Sequence, residues 1–312
     1  MKKIPFISQL KRSEQEQWIQ QLNLLIDHVE IVLPEQVSEA DKWEVEVVIA
    51  ANPSEEQIRQ FPNLVWAQSL WAGVEKLVKI LPANVALVRL IDPQLAETMA
   101  EAVVAWTLYL QRNMPFYARQ QQNKIWKQLP VKLAKETRVS ILGAGELGVT
   151  ALSYLAKFNY QLKYWNRSNK QLGNVEHYQG SSGLQAMLSK TDILISLLPL
   201  TKETHGLLND ETLKWLPHGA QIINFSRGAI LDTSSLLPLL DDGSIAHAVL
   251  DVFEQEPLPP SSELWEHPSI TVLPHISAPT NLISASRIVA SNINEYLMTG
   301  QLSEAVDRNK GY

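Results

Sequence analysis

The sequence predicts an α/β protein built from two parallel-sheet domains, and three observations predict it. The chain has 312 residues, room for two domains of ordinary size, and 45% of them are hydrophobic, enough to fill two cores. Short apolar segments alternate with helical ones in both halves, the pattern of parallel strands joined by crossover helices. A glycine-rich turn, Gly143-x-Gly145-x-x-Gly148, sits in the middle of the chain, so residues 1–138 must build something else, which we read as a substrate domain.

The elements follow in order. Residues 3–7 read as a strand, 14–25 as a helix, 45–50 as a strand, 54–60 as a helix, 64–68 as a strand, 73–81 as a helix and 86–90 as a strand. Residues 93–110 carry Leu95, Met99, Val103, Trp106 and Leu110 at helical spacing and stop before Pro115. Residues 139–142 are an apolar strand running into the glycine turn. A helix with Leu152, Leu155 and Ala156 follows, and 161–165 is the next strand. Further strands are expected at 193–197, 221–225, 247–252 and 271–273. Prolines and serines make 256–262 a loop, and a last helix over 281–298 is stopped by Gly300.

Bulk properties exclude several classes. Net charge is −6 with no Lys/Arg block, so nucleic acid is not an expected partner. There is no cysteine, which removes disulfides, thiolate metal sites and cysteine nucleophiles, and no metal site is expected. Residues 1–8 lack the sustained apolar stretch of a secretory signal, and no run approaches the ~18 apolar residues of a membrane span. The expectation is a cytoplasmic protein with no membrane partner.

The glycine turn carries the first chemistry. Gly143 permits a tight strand-to-helix turn, Gly145 lets the backbone approach a pyrophosphate, and Gly148 lets the helix pack on the sheet. The amides of Glu146 and Leu147 would then face the anion at the helix N-terminus. Alone the motif is weak, but the strand, helix and second strand around it supply its required setting. NAD-specific sites place an acid after that second strand to hold the ribose 2′-hydroxyl. Here the chain reads Trp165-Asn166-Arg167-Ser168-Asn169-Lys170, with no acid, two cations and a hydroxyl. Asn166, Arg167, Ser168 and Lys170 therefore point to NADPH/NADP in preference to NADH/NAD.

Three more segments follow: Asn224-Phe-Ser-Arg227-Gly228, Leu250-Asp251-Val-Phe-Glu-Gln-Glu256-Pro-Leu258, and Leu273-Pro-His275-Ile-Ser277. With the glycine turn and in this order, they make the chain resemble the D-2-hydroxyacid dehydrogenase family. The length, the ending from Val306 and the Trp165-x-Arg167 segment are similar to its glyoxylate/hydroxypyruvate reductase A group. The resemblance implies two Rossmann-like or flavodoxin-like domains with the active site in the cleft between them. Residues 1–100 with 280–312 would be the substrate domain and 101–279 the NAD(P) domain. It also implies a homodimer acting on a small 2-keto acid.

By the same resemblance, His275 is the general acid, Glu256 its partner carboxylate and Arg227 the cation that grips the substrate. Asp251 would hold the nicotinamide carboxamide, with Leu198, Pro199 and Thr204 lining the cofactor. The chemistry suits these types: imidazole titrates near neutrality, a neighbouring carboxylate favours its protonated form, and a guanidinium forks onto carboxylate and keto oxygen. Singly, an Arg-Gly turn, a Glu before Pro and a Pro-His are ordinary structural features; it is the spaced set behind the glycine turn that reads as catalytic. The family's carboxylate-binding loop, Gly-Ala-Gly-Val-Asp, is matched by Trp71-Ala72-Gly73-Val74-Glu75. Trp71 stands where a small residue is usual, so it either narrows the pocket or belongs to the core. The implied reaction is NADPH-dependent reduction of glyoxylate and hydroxypyruvate to D-2-hydroxy acids. Another dehydrogenase of the family, or a dinucleotide-sensing binding protein, is the alternative.

Overall fold

A computed structural model of the chain describes residues 2–167, 171–173 and 175–308. Its backbone divides into two compact units, Met1–Gln94 with Thr280–Tyr312, and Leu95–Pro279. Among the described residues, no helix is long and apolar enough to cross a membrane.

The first unit is a five-stranded parallel sheet in the order β2-β1-β3-β4-β5, formed by β1 (Lys2–Ser8), β2 (Val29–Val32), β3 (Val47–Ala51), β4 (Trp66–Ser69) and β5 (Ala86–Val88). Side chains alternate across the pleat, so Ile4 and Phe6 enter one core and Ile7 the other. The first core is completed by α1 (Arg12–Asn23) and the C-terminal helix α10 (Leu282–Thr299), through Trp18, Leu22, Val289 and Ile293. The second is covered by α2 (Glu55–Arg59) and α3 (Glu75–Ile80), through Ile58 and Leu77. Strand β2 was not expected. It follows α1 without glycine or proline, because His28 makes the turn at φ +70°, and Asn23 closes it by bonding both the amide and the carbonyl of Ile31.

The second unit opens with α4 (Pro93–Gln111), whose Met99, Ala100 and Val103 bury in its core, and α5 (Met114–Gln122). Helix α4 ends before Pro115 as expected, and Pro115 lies in the first turn of α5, where its missing amide costs nothing. A seven-stranded parallel sheet follows in the order β12-β11-β10-β9-β6-β7-β8. Its strands are β6 (Arg138–Leu142), β7 (Gln161–Trp165), β8 (Glu176–Tyr178), β9 (Ile193–Ser196), β10 (Ala220–Asn224), β11 (Ile245–Leu250) and β12 (Ile270–Val272). Helices α6 (Glu146–Ala156), α7 (Gly180–Leu188), α8 (Asp210–Leu213) and α9 (Thr233–Asp241) connect them. Winding runs outward both ways from β6, which places a switch point beside it, where open α/β sheets bind ligands at their carboxyl edge.

Candidate active site

The turn after β6 is built as its glycines require. Gly143 has φ +97°, and a Cβ there would stand 2.9 Å from the Leu197 carbonyl oxygen. At Gly148 a Cβ would be 2.0 Å from the Gly143 oxygen, so only glycine lets α6 start this close to the strand. Gly145 differs: it caps α6 in extended conformation (φ −75°, ψ −163°), and a Cβ would meet nothing within 4 Å. Its lack of a side chain is therefore not demanded by the protein and leaves space open above the helix. The amides of Glu146, Leu147 and Gly148, in the first turn of α6, have no intrahelical partner. Open space over orphan amides fits a dinucleotide pyrophosphate.

Beyond β7, the Asn166 amide donates to the Tyr178 carbonyl (3.1 Å), and Gln179 Nε2 donates to the Arg167 carbonyl (3.1 Å). The backbone of this turn is thus tied to the β8 segment. The guanidinium of Arg167 lies in the field of Glu203, whose carboxyl is held below its usual range by hydrogen bonds from Thr201 and its own amide, then by Arg167. Ser168 and Lys170 lie outside the described residues. After β9, Leu198 is buried against Gly143. Thr204 donates to the Pro199 carbonyl (2.7 Å) and accepts from the Thr201 amide (2.8 Å), so its hydroxyl closes its own loop.

Arg227, Glu256 and His275 follow three adjacent strands, β10, β11 and β12, at the same edge of the sheet. Beneath Arg227 runs a buried polar chain: Ser196 Oγ lies 2.9 Å from Ser226 Oγ, which donates to Asn224 Oδ1 (2.5 Å), and Asn224 Nδ2 donates to the Arg227 carbonyl (3.3 Å). Gly228 was quoted in its motif but given no role. A Cβ there would stand 2.0 Å from the Phe253 carbonyl carbon, so this glycine lets the Arg227 turn lie against the loop leading to Glu256. The Phe253 amide donates to Glu256 Oε1 (2.9 Å), and Glu256 Oε2 receives His275 Nδ1 (2.8 Å). That fixes the tautomer and leaves Nε2 as the ring nitrogen for a substrate.

The electrostatics are reciprocal. The hydrogen bond that His275 donates to Glu256 raises its pKa above the ordinary value against the opposing effects of burial and of Arg227. Burial pushes Glu256 up, but the hydrogen bonds from His275 and the Phe253 amide outweigh it and hold the acid low. An imidazolium beside a carboxylate is what proton donation near neutral pH requires. Asp251 is tied to the turn that carries His275. It is 0% exposed, and its oxygens accept from the Ile276 amide (2.7 Å) and the Ser277 amide (2.9 Å).

In the first unit, Trp71-Ala72-Gly73-Val74 link β4 to α3. Ser69 Oγ accepts from the Trp71 amide (2.9 Å) and donates to its carbonyl (3.0 Å). The partly buried Trp71 indole packs edge-on against Trp18, centroids 6.3 Å apart at 89°, which accounts for the ring as a packing residue. Val74 is buried, while Ala72 and Gly73 are half-buried.

A sheet of this winding, with an open pyrophosphate turn and an acid–imidazole pair at its carboxyl edge, defines an NAD(P)-dependent oxidoreductase. The family profile described as "D-isomer specific 2-hydroxyacid dehydrogenase, NAD binding domain" matches residues 104–277, and the chain belongs to that family. It acts on the CH–OH group of 2-hydroxy acids, or in reverse on the keto group. The chain is 37% identical over 251 residues to glyoxylate/hydroxypyruvate reductase A of Salmonella heidelberg (strain SL476), covering 78% of this chain and 80% of that one. Its fold is similar to a D-isomer specific 2-hydroxyacid dehydrogenase from Xanthobacter autotrophicus Py2 in complex with NADPH and MES (TM-score 0.90, 32% identity, 99% of each chain). It is also similar to the NADPH-dependent glyoxylate/hydroxypyruvate reductase of Sinorhizobium meliloti in complex with NADP and sulfate (TM-score 0.91, 28% identity, 100% of each chain).

Proposed function

We propose that this enzyme reduces glyoxylate and hydroxypyruvate to the D-2-hydroxy acids, with NADPH preferred over NADH and His275 as the general acid. The observation that carries the reading is the 2.8 Å contact of Glu256 with His275 Nδ1, which favours the protonated imidazole and leaves Nε2 as its other ring nitrogen. NADPH supplies the hydride. Nε2 of His275 gives its proton to the keto oxygen, Glu256 stabilises the imidazolium until then, and Arg227 binds the keto and carboxylate oxygens. The loop 71–74 is assigned to the substrate carboxylate. Support for NADPH comes from Arg167, from the lack of any acid at 165–170, and from relatives whose structures hold NADPH or NADP. A homodimer is part of the proposal. Ile125, Trp126, Val131 and Leu133 are exposed within nine residues of chain, Trp126 fully, which supports association through this segment.

The test is NADPH and NADH oxidation with a panel of 2-keto acids. Glyoxylate and hydroxypyruvate with NADPH should give the highest kcat/KM, and Arg167→Ala should remove most of the cofactor preference. His275→Ala should lose ~10²–10⁴-fold in kcat; near-normal turnover would take His275 out of the reaction. Glu256→Gln removes the interaction that raises the His275 pKa. The proton-bearing form then ends at lower pH, and the falling limb of the reduction profile should move down with it.

A further inference from the structure

We infer that Arg89 is a specificity-determining residue for the proposed reaction, a cation that binds an oxygen on C3 of the 2-keto acid. It stands just beyond β5, half-buried, and among the described residues no hydrogen bond or ion pair engages it. Its direction follows from its neighbours. Val88 and Leu90 both enter the core under α10, so the side chain between them emerges on the opposite face, the one covered by α3. Strand β5 pairs with β4 as far as Gln68 and Val88, which brings Arg89 level with Ser69, the residue that bonds both the amide and the carbonyl of Trp71. The Leu90 amide also donates to the Trp71 carbonyl (3.1 Å). The backbone of Arg89 is thus tied beside the start of the loop 71–74, on the face where that loop runs into α3.

A guanidinium carries donors and no acceptor, and drawing it partly out of water is unfavourable unless something accepts. The neighbouring carboxylate does not. Asp92 accepts from the Gln94 amide (2.9 Å) and the Ser284 hydroxyl (2.6 Å), and Ser284 lies in the first turn of α10, on the other face. Arg308 shows what a structural arginine does beside this strand: its guanidinium donates to the carbonyls of Leu81 and Val85. The acceptor that suits Arg89 is an oxygen brought by a ligand. In the proposed reaction, on which this inference rests, Arg227 and the loop 71–74 already hold the keto oxygen and the α-carboxylate. What is left is the substituent on C3: a hydroxyl in hydroxypyruvate, a second carboxylate in ketomalonate, only hydrogen in pyruvate. A guanidinium at that point gains a charge-assisted hydrogen bond from the first two and nothing from the third.

Arg89→Met keeps the apolar stem and removes the charge. No bond of the fold is lost, so its melting temperature and NADPH Kd should match those of the wild type. The ratio of kcat/KM for hydroxypyruvate to that for pyruvate should fall roughly 10- to 100-fold, the size of one charge-assisted hydrogen bond. The ratio for ketomalonate to pyruvate should fall with it, and Arg89→Lys should recover part of both. An unchanged ratio, or an equal loss on hydroxypyruvate, pyruvate and glyoxylate, would overturn the inference. Product binding separates it from the reaction itself. Titration calorimetry on the enzyme with NADP should give D-glycerate a lower Kd than D-lactate in the wild type and equal values in Arg89→Met. If that difference is found but hydroxypyruvate is not reduced, Arg89 keeps its role in binding and the proposed reaction is wrong. If hydroxypyruvate is reduced and the difference is missing, the reaction stands and the role of Arg89 is wrong.

Discussion

Each sheet of this molecule begins with a strand that runs into a turn and a helix beside a change of winding direction, β1 into α1 in the first unit and β6 into α6 in the second. The topological opportunity is the same. The chemistry is not. After β1, Ser8 Oγ donates to the Ala51 carbonyl (3.0 Å) and accepts from the Leu10 amide (2.9 Å), and Gln57 Nε2 donates to the Ser8 carbonyl (2.9 Å). The Lys11 amide is taken by Glu14, and Arg12 pairs with Glu16 and Glu35. Polar side chains of the turn and of its neighbours fill the space there. After β6 the equivalent positions are glycines, with open space at Gly145 and orphan amides under it. The winding of a sheet only offers a ligand site; side chains at the first turn close it, and their absence leaves it open.

The sharpest way to break this contrast is to close the second turn as the first is closed. Gly145→Val introduces a side chain where the protein has no atoms within 4 Å and the backbone is in a region open to any residue. The melting temperature should hold while NADPH affinity collapses. Losing two charge-assisted hydrogen bonds at ~1.5–3 kcal/mol each corresponds to roughly 10²–10⁴-fold in Kd. If titration calorimetry finds wild-type affinity, the space at Gly145 is not where the pyrophosphate lies. Gly148→Ala should do the reverse, because its Cβ would stand 2.0 Å from the Gly143 oxygen. Stability should fall at the upper end of the ~1–3 kcal/mol range for overpacking, with binding lost only as folding is lost. A variant that melts like wild type would show that the turn relaxes and that Gly148 is not needed for packing.

The same contrast explains what could be read from the chain beforehand. The glycine turn was legible because its requirement is local, three glycines between a strand and a helix. Arg227, Glu256 and His275 were legible only as a spaced set matching a family's motifs, and the structure brings Glu256 onto His275. Long-range demands were not legible. Gly228 is required by Phe253, and Asp251 accepts from the amides of residues 276 and 277, neither of which any local pattern announces. Among the elements, β8 is a three-residue edge strand and α7 contains Gly180 and Gly183, both too weak in local pattern to be expected. Helix α9 was not expected either; it contains Pro238, yet Asp232 caps it and Leu236, Leu239 and Leu240 bury its face.

The smallest expected effect tests the closed turn. Ser8→Ala removes one hydroxyl that serves the Ala51 carbonyl and the Leu10 amide together. Leu10 is only half-buried, so its amide can turn to water, and the net loss should be about 1 kcal/mol. That is a shift of a few degrees in melting temperature. NADPH affinity should not move, because the Ser8 hydroxyl is engaged by the Ala51 carbonyl and the Leu10 amide. The paired measurement matters more than either number. A lower melting temperature with an unchanged Kd would assign Ser8 to the fold of the first unit. A weakened Kd in a protein that melts normally would mean that the β1 turn takes part in binding, and that the division into a closed turn and an open one is wrong.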